Sequence, residues 1–131
     1  MRLFIDSNRY TDFAKGVPDV VARFESAREI WISLIVLAEL HGGFAFGSKR
    51  NKNEEGLAKF LSWPDVHLLA PDEATVDHYV AVYSALRRRG KPIPTNDMWI
   101  AALALQHDLI LDTRDQHFQC VPALKLVGTT P

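Results

Sequence analysis

The sequence predicts an α/β fold: a doubly wound parallel sheet of four to five strands with helices on both faces. Two observations carry that expectation. Short apolar, β-rich runs alternate with longer stretches of helical periodicity, the pattern of strands joined by right-handed crossover helices. Acidic residues stand directly after two of those runs, where open α/β sheets bind their ligands. The 131 residues, 47% of them apolar, suit one domain over 1–131 with a sizeable core.

The elements follow in order. Leu3-Phe4-Ile5 reads as a buried strand ending at Asp6. A short helix from about Asn8 to Lys15 is stopped by Gly16 and Pro18, and a second runs from Pro18 to about Arg28 with Val20, Val21 and Phe24 inward. Ile30-Trp31-Ile32 is the next strand. Ser33 is the expected N-cap of a helix from Leu34 to about Phe46. Gly47 and the polar stretch Ser48 to Asn53 break it before a helix from about Glu54 to Trp63. Val66-His67-Leu68-Leu69 is the third strand. Pro71-Asp72-Glu73 opens a long helix closed by Arg87-Arg88-Arg89-Gly90, with basic residues in the last turn as the helix dipole favours. Thr95 is the expected cap of the helix from Asn96 to about Gln106. Leu109-Ile110-Leu111 is the fourth strand and Leu124-Lys125-Leu126-Val127 the expected fifth.

Composition removes several function classes. The net charge of −1 gives no overall field for a polyanion, so any nucleic-acid contact rests on a local basic patch. Cys120 is the single cysteine, which excludes an intramolecular disulfide and a cysteine-based zinc site. The first apolar stretch is interrupted at Asp6, so no signal peptide is expected. The apolar run Leu34 to Ala38 is too short for a bilayer, and the expected location is cytoplasmic, with no membrane partner.

The acids carry the chemistry. Asp6 follows the first strand; Asp112 and Asp115 follow the fourth. Glu39 is the only charge between Leu34 and Leu40, and Asp97 opens a helix whose next turns are uncharged. Taken singly, an Asp after a strand is an ordinary turn former and an Asp at a helix start an ordinary dipole partner. Glu39 is different: in a helix apolar on nearly every side, expected to be buried, an unpaired carboxylate is costly. It needs a cation, a basic side chain or a raised pKa. Carboxylates converging on one sheet edge repel unless a cation offsets them. Oxygen-only ligands suit hard ions such as Mg²⁺ or Mn²⁺, whose natural chemistry with phosphate is metal-assisted hydrolysis of a phosphodiester.

The ordered set resembles the PIN-domain toxins of the VapC type. It comprises Asp6-Ser7-Asn8, Glu39 in its apolar helix, Pro92-Ile93 before Asp97 and Ile100-Ala101-Ala102, and Thr113-Arg114-Asp115 with Phe118. The resemblance spans Leu3 to about Leu126. It implies a Mg²⁺- or Mn²⁺-dependent endoribonuclease leaving a 5′-phosphate and a 3′-hydroxyl, with Asp6, Glu39, Asp97 and Asp115 as the catalytic, metal-holding acids. It implies that Asn8 orients a carboxylate or water. It also implies an antitoxin partner that covers the site, and a homodimer. The chain departs from the family pattern at Ser7, where threonine is usual but the hydroxyl is kept, and at Arg9, where an apolar residue is usual. Asp112 is an extra acid beside Asp115; Asp115 is favoured because Asp112 lies closer to the strand and reads as structural.

Arg114, beside the acids, is the best single candidate for substrate contact, against a salt bridge that balances the acids. Arg9 either meets phosphate or pairs with an acid. Arg87, Arg88, Arg89 and Lys91 either track phosphates or compensate their helix terminus. Phe44, Phe46 and Trp63 read singly as core residues, and by resemblance as part of an antitoxin groove. The histidines show no metal-ligand spacing and receive no role, with His41 and His117 nearest the motifs. A response-regulator receiver expects paired acids after the first strand, where Ile5 precedes Asp6, and a Lys after the last, where Lys125 lies inside the run. A haloacid-dehalogenase-type phosphatase needs Asp where Asn8 stands. The rival outside enzymes is a degenerate PIN domain acting as a binding module for RNA or protein.

Overall fold

Leu3, Phe4 and Ile5 are wholly buried, as an apolar run with no alternation requires when a strand is covered on both faces. In the computed structural model, which describes residues 1–128, this run is β1 (Arg2–Ile5). It lies between β2 (Glu29–Ser33) and β4 (Ile110–Asp112), with β3 (Val66–Leu69) beyond β2. All pairings are parallel, with Phe4 opposite Trp31 and Leu111, and Ile5 opposite Asp112.

The sheet order β3-β2-β1-β4 explains where a site can form. The chain steps outward from β1 to β3 and then returns to the other side of β1. Right-handed crossovers therefore place α1 (Ser7–Ala14), α2 (Pro18–Ser26), α3 (Leu34–Ala45) and α4 (Arg50–Leu61) on one face. They place α5 (Glu73–Arg88) and α6 (Thr95–Gln106) on the other. The winding reverses between β1 and β4, and the loops leaving their carboxyl ends diverge to opposite faces, opening a crevice. Asp6 and the segment from Thr113 to Asp115 stand there.

Local chemistry sets the helix starts. Ser33, fully buried, accepts from the Val36 amide at 3.1 Å and caps α3. Asp72 accepts from the Thr75 amide while the Thr75 hydroxyl accepts from the Asp72 amide, a reciprocal capping box at α5. Phe13 stacks on Phe24 with ring centroids 4.8 Å apart and meets Phe60 at 5.4 Å. This aromatic cluster ties the last turn of α1 to α2 and α4.

The structure departs from the expectations at several points. Helix α4 opens at Arg50 rather than Glu54, because Arg50 Nε pairs with Glu54 Oε1 at 2.6 Å across one turn. Thr95 is the first helical residue of α6 and Pro94 the residue before it, with no side-chain cap bond. The expected fifth strand contributes only a bridge from Leu126 to Leu111. Ala123 at φ 64° and Gly128 at φ 83° turn the backbone at either end of that segment, leaving no length for a ladder. Helix α3 is not buried on every side: Leu34 is exposed, and its buried residues are Val36 and Leu40. Phe44 packs partly against the core, but Trp63 is 40% exposed and Phe46, just past the end of α3, is 97% exposed. Among the described residues no helix is long and apolar enough to cross a membrane.

Candidate metal centre

Asp6 ends β1 and is the residue before α1, so its backbone stays extended (φ −83°, ψ 163°) while its side chain turns over the helix start. Oδ1 accepts from the Ser7 amide at 2.8 Å, and Oδ2 accepts from the Thr113 hydroxyl at 2.6 Å. Asn8 reaches the same oxygen and Thr113 Oγ1, each at 3.5 Å, and its own Oδ1 accepts from the Arg114 amide at 3.1 Å. Thr113 Oγ1 in turn accepts from the Asp115 amide at 3.0 Å. Asn8 and Thr113 thus tie the loop after β1 to the loop after β4.

Glu39 projects from α3, and Asp97 lies buried in the first turn of α6, where the helix dipole favours a carboxylate. Asp115 precedes the 3₁₀ turn Gln116–Cys120. The four acids meet. Burial raises the pKa of Asp6, against the hydrogen bonds of Thr113 and Ser7, and the charge of Asp115 raises it further. Glu39 is raised by burial and by Asp6 and Asp115, against hydrogen bonds from Asn96 and Ser7. Asp97 is pushed up to about 6 by burial and by the charges of Asp6, Asp115 and Glu39, with His117 opposing. Asp97 therefore feels the charge of the other three acids, and Asp115 acts on Asp6, Glu39 and Asp97 alike.

Asp112 takes no part in that group. It is fully buried, and its oxygens accept from Arg9 Nε at 3.0 Å and from Arg23 Nε and Nη2 at 2.6 and 3.1 Å. Two guanidinium groups already neutralise it. Arg9 also holds Asp12 at 3.1 Å. Arg114 pairs with Asp12 at 3.2 Å rather than with the four acids, and its side chain is half exposed. Arg9, Arg114, Asp115, Gln116 and Gln119 line a cleft of about 390 Å³ beside the acids.

The donor set fits a hard divalent ion. Glu39 Oε1 is a buried oxygen with no hydrogen-bond partner among the described residues, the orphan a cation would satisfy. The raised Asp97 gives a test. A carboxyl whose folded pKa lies above its ordinary 3.8 binds protons more tightly in the folded state. Stability from it is full below the unfolded pKa and is lost as pH rises through about 6. Metal-free Asp97→Asn is expected to melt about 4 °C above the parent at pH 7.5, roughly a 1 kcal/mol gain, and the gain vanishes by pH 4. Equal melting temperatures at both pH values would count against this electrostatic crowding.

A family model of the PIN domain matches residues 4–124. The chain belongs to the PIN-domain family. Among its relatives, ribonuclease VapC1 of Haemophilus influenzae (strain R2866) is 31% identical over 130 residues, 95% of this chain and 96% of that protein. Toxin FitB of Neisseria gonorrhoeae is 32% identical over 121 residues, 86% of this chain and 87% of that protein. The solved structure of VapBC2 from Rickettsia felis bound to a DNA fragment from their promoter superposes with a TM-score of 0.86 at 28% identity. It covers 96% of this chain and 97% of that one. These relatives place the chain among the VapC-type PIN domains.

In this PIN domain two residues gain positions that sequence reasoning did not give them. Thr113 stood in the quoted Thr-Arg-Asp segment without a role, and it joins Asp6 to Asp115. His117 was set aside for want of a second histidine at ligand spacing. Its Nε2 lies 3.4 Å from Asp97 Oδ2 and 3.6 Å from Asp115 Oδ1. The signal available was its place two residues after Asp115, not a spacing between histidines.

Proposed function

We propose that this PIN domain is a metal-dependent endoribonuclease, the toxin of a type II toxin–antitoxin pair. The observation that carries the reading is the convergence of Asp6, Glu39, Asp97 and Asp115, with Glu39 Oε1 buried and unpartnered among the described residues. These four would hold Mg²⁺ or Mn²⁺. Such an ion, when bound, stabilises negative charge on phosphoryl oxygens and makes water a better proton donor at neutral pH.

The chain's own residues supply the rest. Thr113 and Asn8 orient the Asp6 carboxylate, and Ser7 steadies Asp6 and Glu39. Glu39, its affinity for a proton raised by burial, serves either as a further ligand or as the general base that accepts a proton from the attacking water. Arg114, half exposed on the rim of the cleft, meets substrate phosphate. Arg9 lines the same cleft while its guanidinium holds Asp12 and Asp112, so it contributes to substrate through the cleft wall.

The partner reading rests on the relatives and on exposed apolar surface. The antitoxin covers the acids from the side of α3, where Leu34 and Phe46 are exposed. Val76, Val80 and Tyr83 form an exposed stripe on α5 at one-turn spacing, which suits a homodimer. The protein acts in the cytoplasm, on RNA.

Incubating the purified chain with a mixed RNA and mapping the product ends tests this. Mg²⁺ or Mn²⁺ is expected to yield 5′-phosphate and 3′-hydroxyl fragments, and EDTA to abolish them. RNA binding with no metal-dependent product would instead mark a degenerate domain that serves as a binding module.

A further inference from the structure

His117 stands against two of the four acids, Asp97 and Asp115, and has no task in the reading above. Its ligand atom, with one oxygen each from Asp97 and Asp115, forms a group whose members all lie within 4.8 Å of one another. We propose that His117 is itself a ligand, through Nε2, of the divalent ion shared with Asp97 and Asp115. The centre is then a mixed oxygen–nitrogen site that favours transition-metal ions over Mg²⁺. The proposal rests on the reading that these acids hold a metal.

The His117 contacts are longer than a charge-assisted hydrogen bond. An imidazolium neutralising a carboxylate forms a charge-assisted N–H···O bond of about 2.7–2.9 Å. Nε2 instead sits 3.4 Å from Asp97 Oδ2 and 3.6 Å from Asp115 Oδ1, on carboxylates from two different segments. Two atoms each about 2.1 Å from a shared ion would lie no more than about 4.2 Å apart. Both observed separations lie within that limit.

The fold holds the imidazole there. His117 belongs to the 3₁₀ turn Gln116–Cys120, and the next residue, Phe118, is fully buried in the core. The Phe118 ring meets the imidazole nearly edge-on, with centroids 6.3 Å apart. Anchoring Phe118 therefore aims a half-exposed histidine over the acids. Chemistry sets the consequence: Mg²⁺ takes oxygen ligands almost exclusively, whereas an imidazole nitrogen strengthens binding of first-row transition ions.

Electron spin-echo spectroscopy of the full chain with Mn²⁺ alone tests this, because a coordinated imidazole leaves a ¹⁴N coupling that carboxylates do not. The parent is expected to show that coupling. In His117→Ala and His117→Gln, each checked for an unchanged melting temperature, the coupling disappears. Mn²⁺ binding weakens about tenfold, while Mg²⁺ binding, read by competition, changes less than about twofold. Mn²⁺ held in an Asp97-dependent site without ¹⁴N coupling, and bound equally by both variants, would overturn the histidine ligand and leave the acidic centre standing. Absence of stoichiometric Mn²⁺ binding, or binding indifferent to Asp97→Asn, would overturn the metal centre and this proposal together. The parent spectrum is informative even if a variant fails to fold.

Discussion

Asp6→Asn is expected to lower RNA cleavage by about 10³-fold or more, a loss of about 4 kcal/mol or more of transition-state stabilisation, while the protein stays folded. The substitution is nearly isosteric. The amide oxygen can keep accepting from the Ser7 amide, the bond that starts α1. What disappears is a negative charge at the centre of the group, together with the acceptor of the Thr113 hydroxyl. Because burial and Asp115 already disfavour the ionised Asp6, the neutral variant loses no folded-state electrostatics. Its metal-free melting temperature should equal or exceed that of the parent. Comparing steady-state cleavage with thermal melting on the same preparation separates chemistry from folding. Cleavage retained within about tenfold would remove Asp6 from the catalytic group.

Asp112→Ala should do the reverse. The lost carboxylate accepts three charge-assisted bonds from Arg9 and Arg23 and is fully buried. Its removal strands Arg23, whose side chain is only 19% exposed, and leaves Arg9, 23% exposed, with Asp12 alone. Breaking such a pair from one side costs about 3–5 kcal/mol, a large share of the roughly 5–15 kcal/mol that holds a domain together. The urea midpoint is expected to fall accordingly. Replacing Arg23 and Asp112 together by leucine should recover part of the loss, because no unpaired charge then remains at that pair. If Asp112 were the fourth metal-holding acid, its loss would instead spare the urea midpoint and weaken Mn²⁺ binding. The pairing with arginine is the physical reason that Asp115 and not Asp112 faces the other acids.

Much of this site was legible in the sequence because its elements are strong local signals. An apolar run cut off by Asp6, a lone Glu39 among aliphatic residues and an Asp97 opening an uncharged helix each break a pattern, and a broken pattern is visible one segment at a time. The sheet order then brings the breaks together, since the site lies where β1 and β4 diverge. What the sequence hid depends on geometry between segments. Asp112 and Asp115 are equally acidic as letters; only Arg9 and Arg23, distant in the chain from Asp112, distinguish them. The exposure of Leu34 on α3 was concealed for a related reason. An apolar helix reads as buried on all sides, yet α3 packs through Val36 and Leu40 and leaves another face open. His117 lacked any partner at regular spacing, and only the 3₁₀ turn after Asp115 turns it toward Asp97.

The central claim is that Asp6, Glu39, Asp97 and Asp115 surround one cation-binding space. Anomalous scattering at the manganese edge, from crystals of the chain grown with Mn²⁺, addresses it directly. A strong peak in the space bounded by these four side chains is the expected map. An occupied manganese position elsewhere, with that space filled only by solvent, would contradict it.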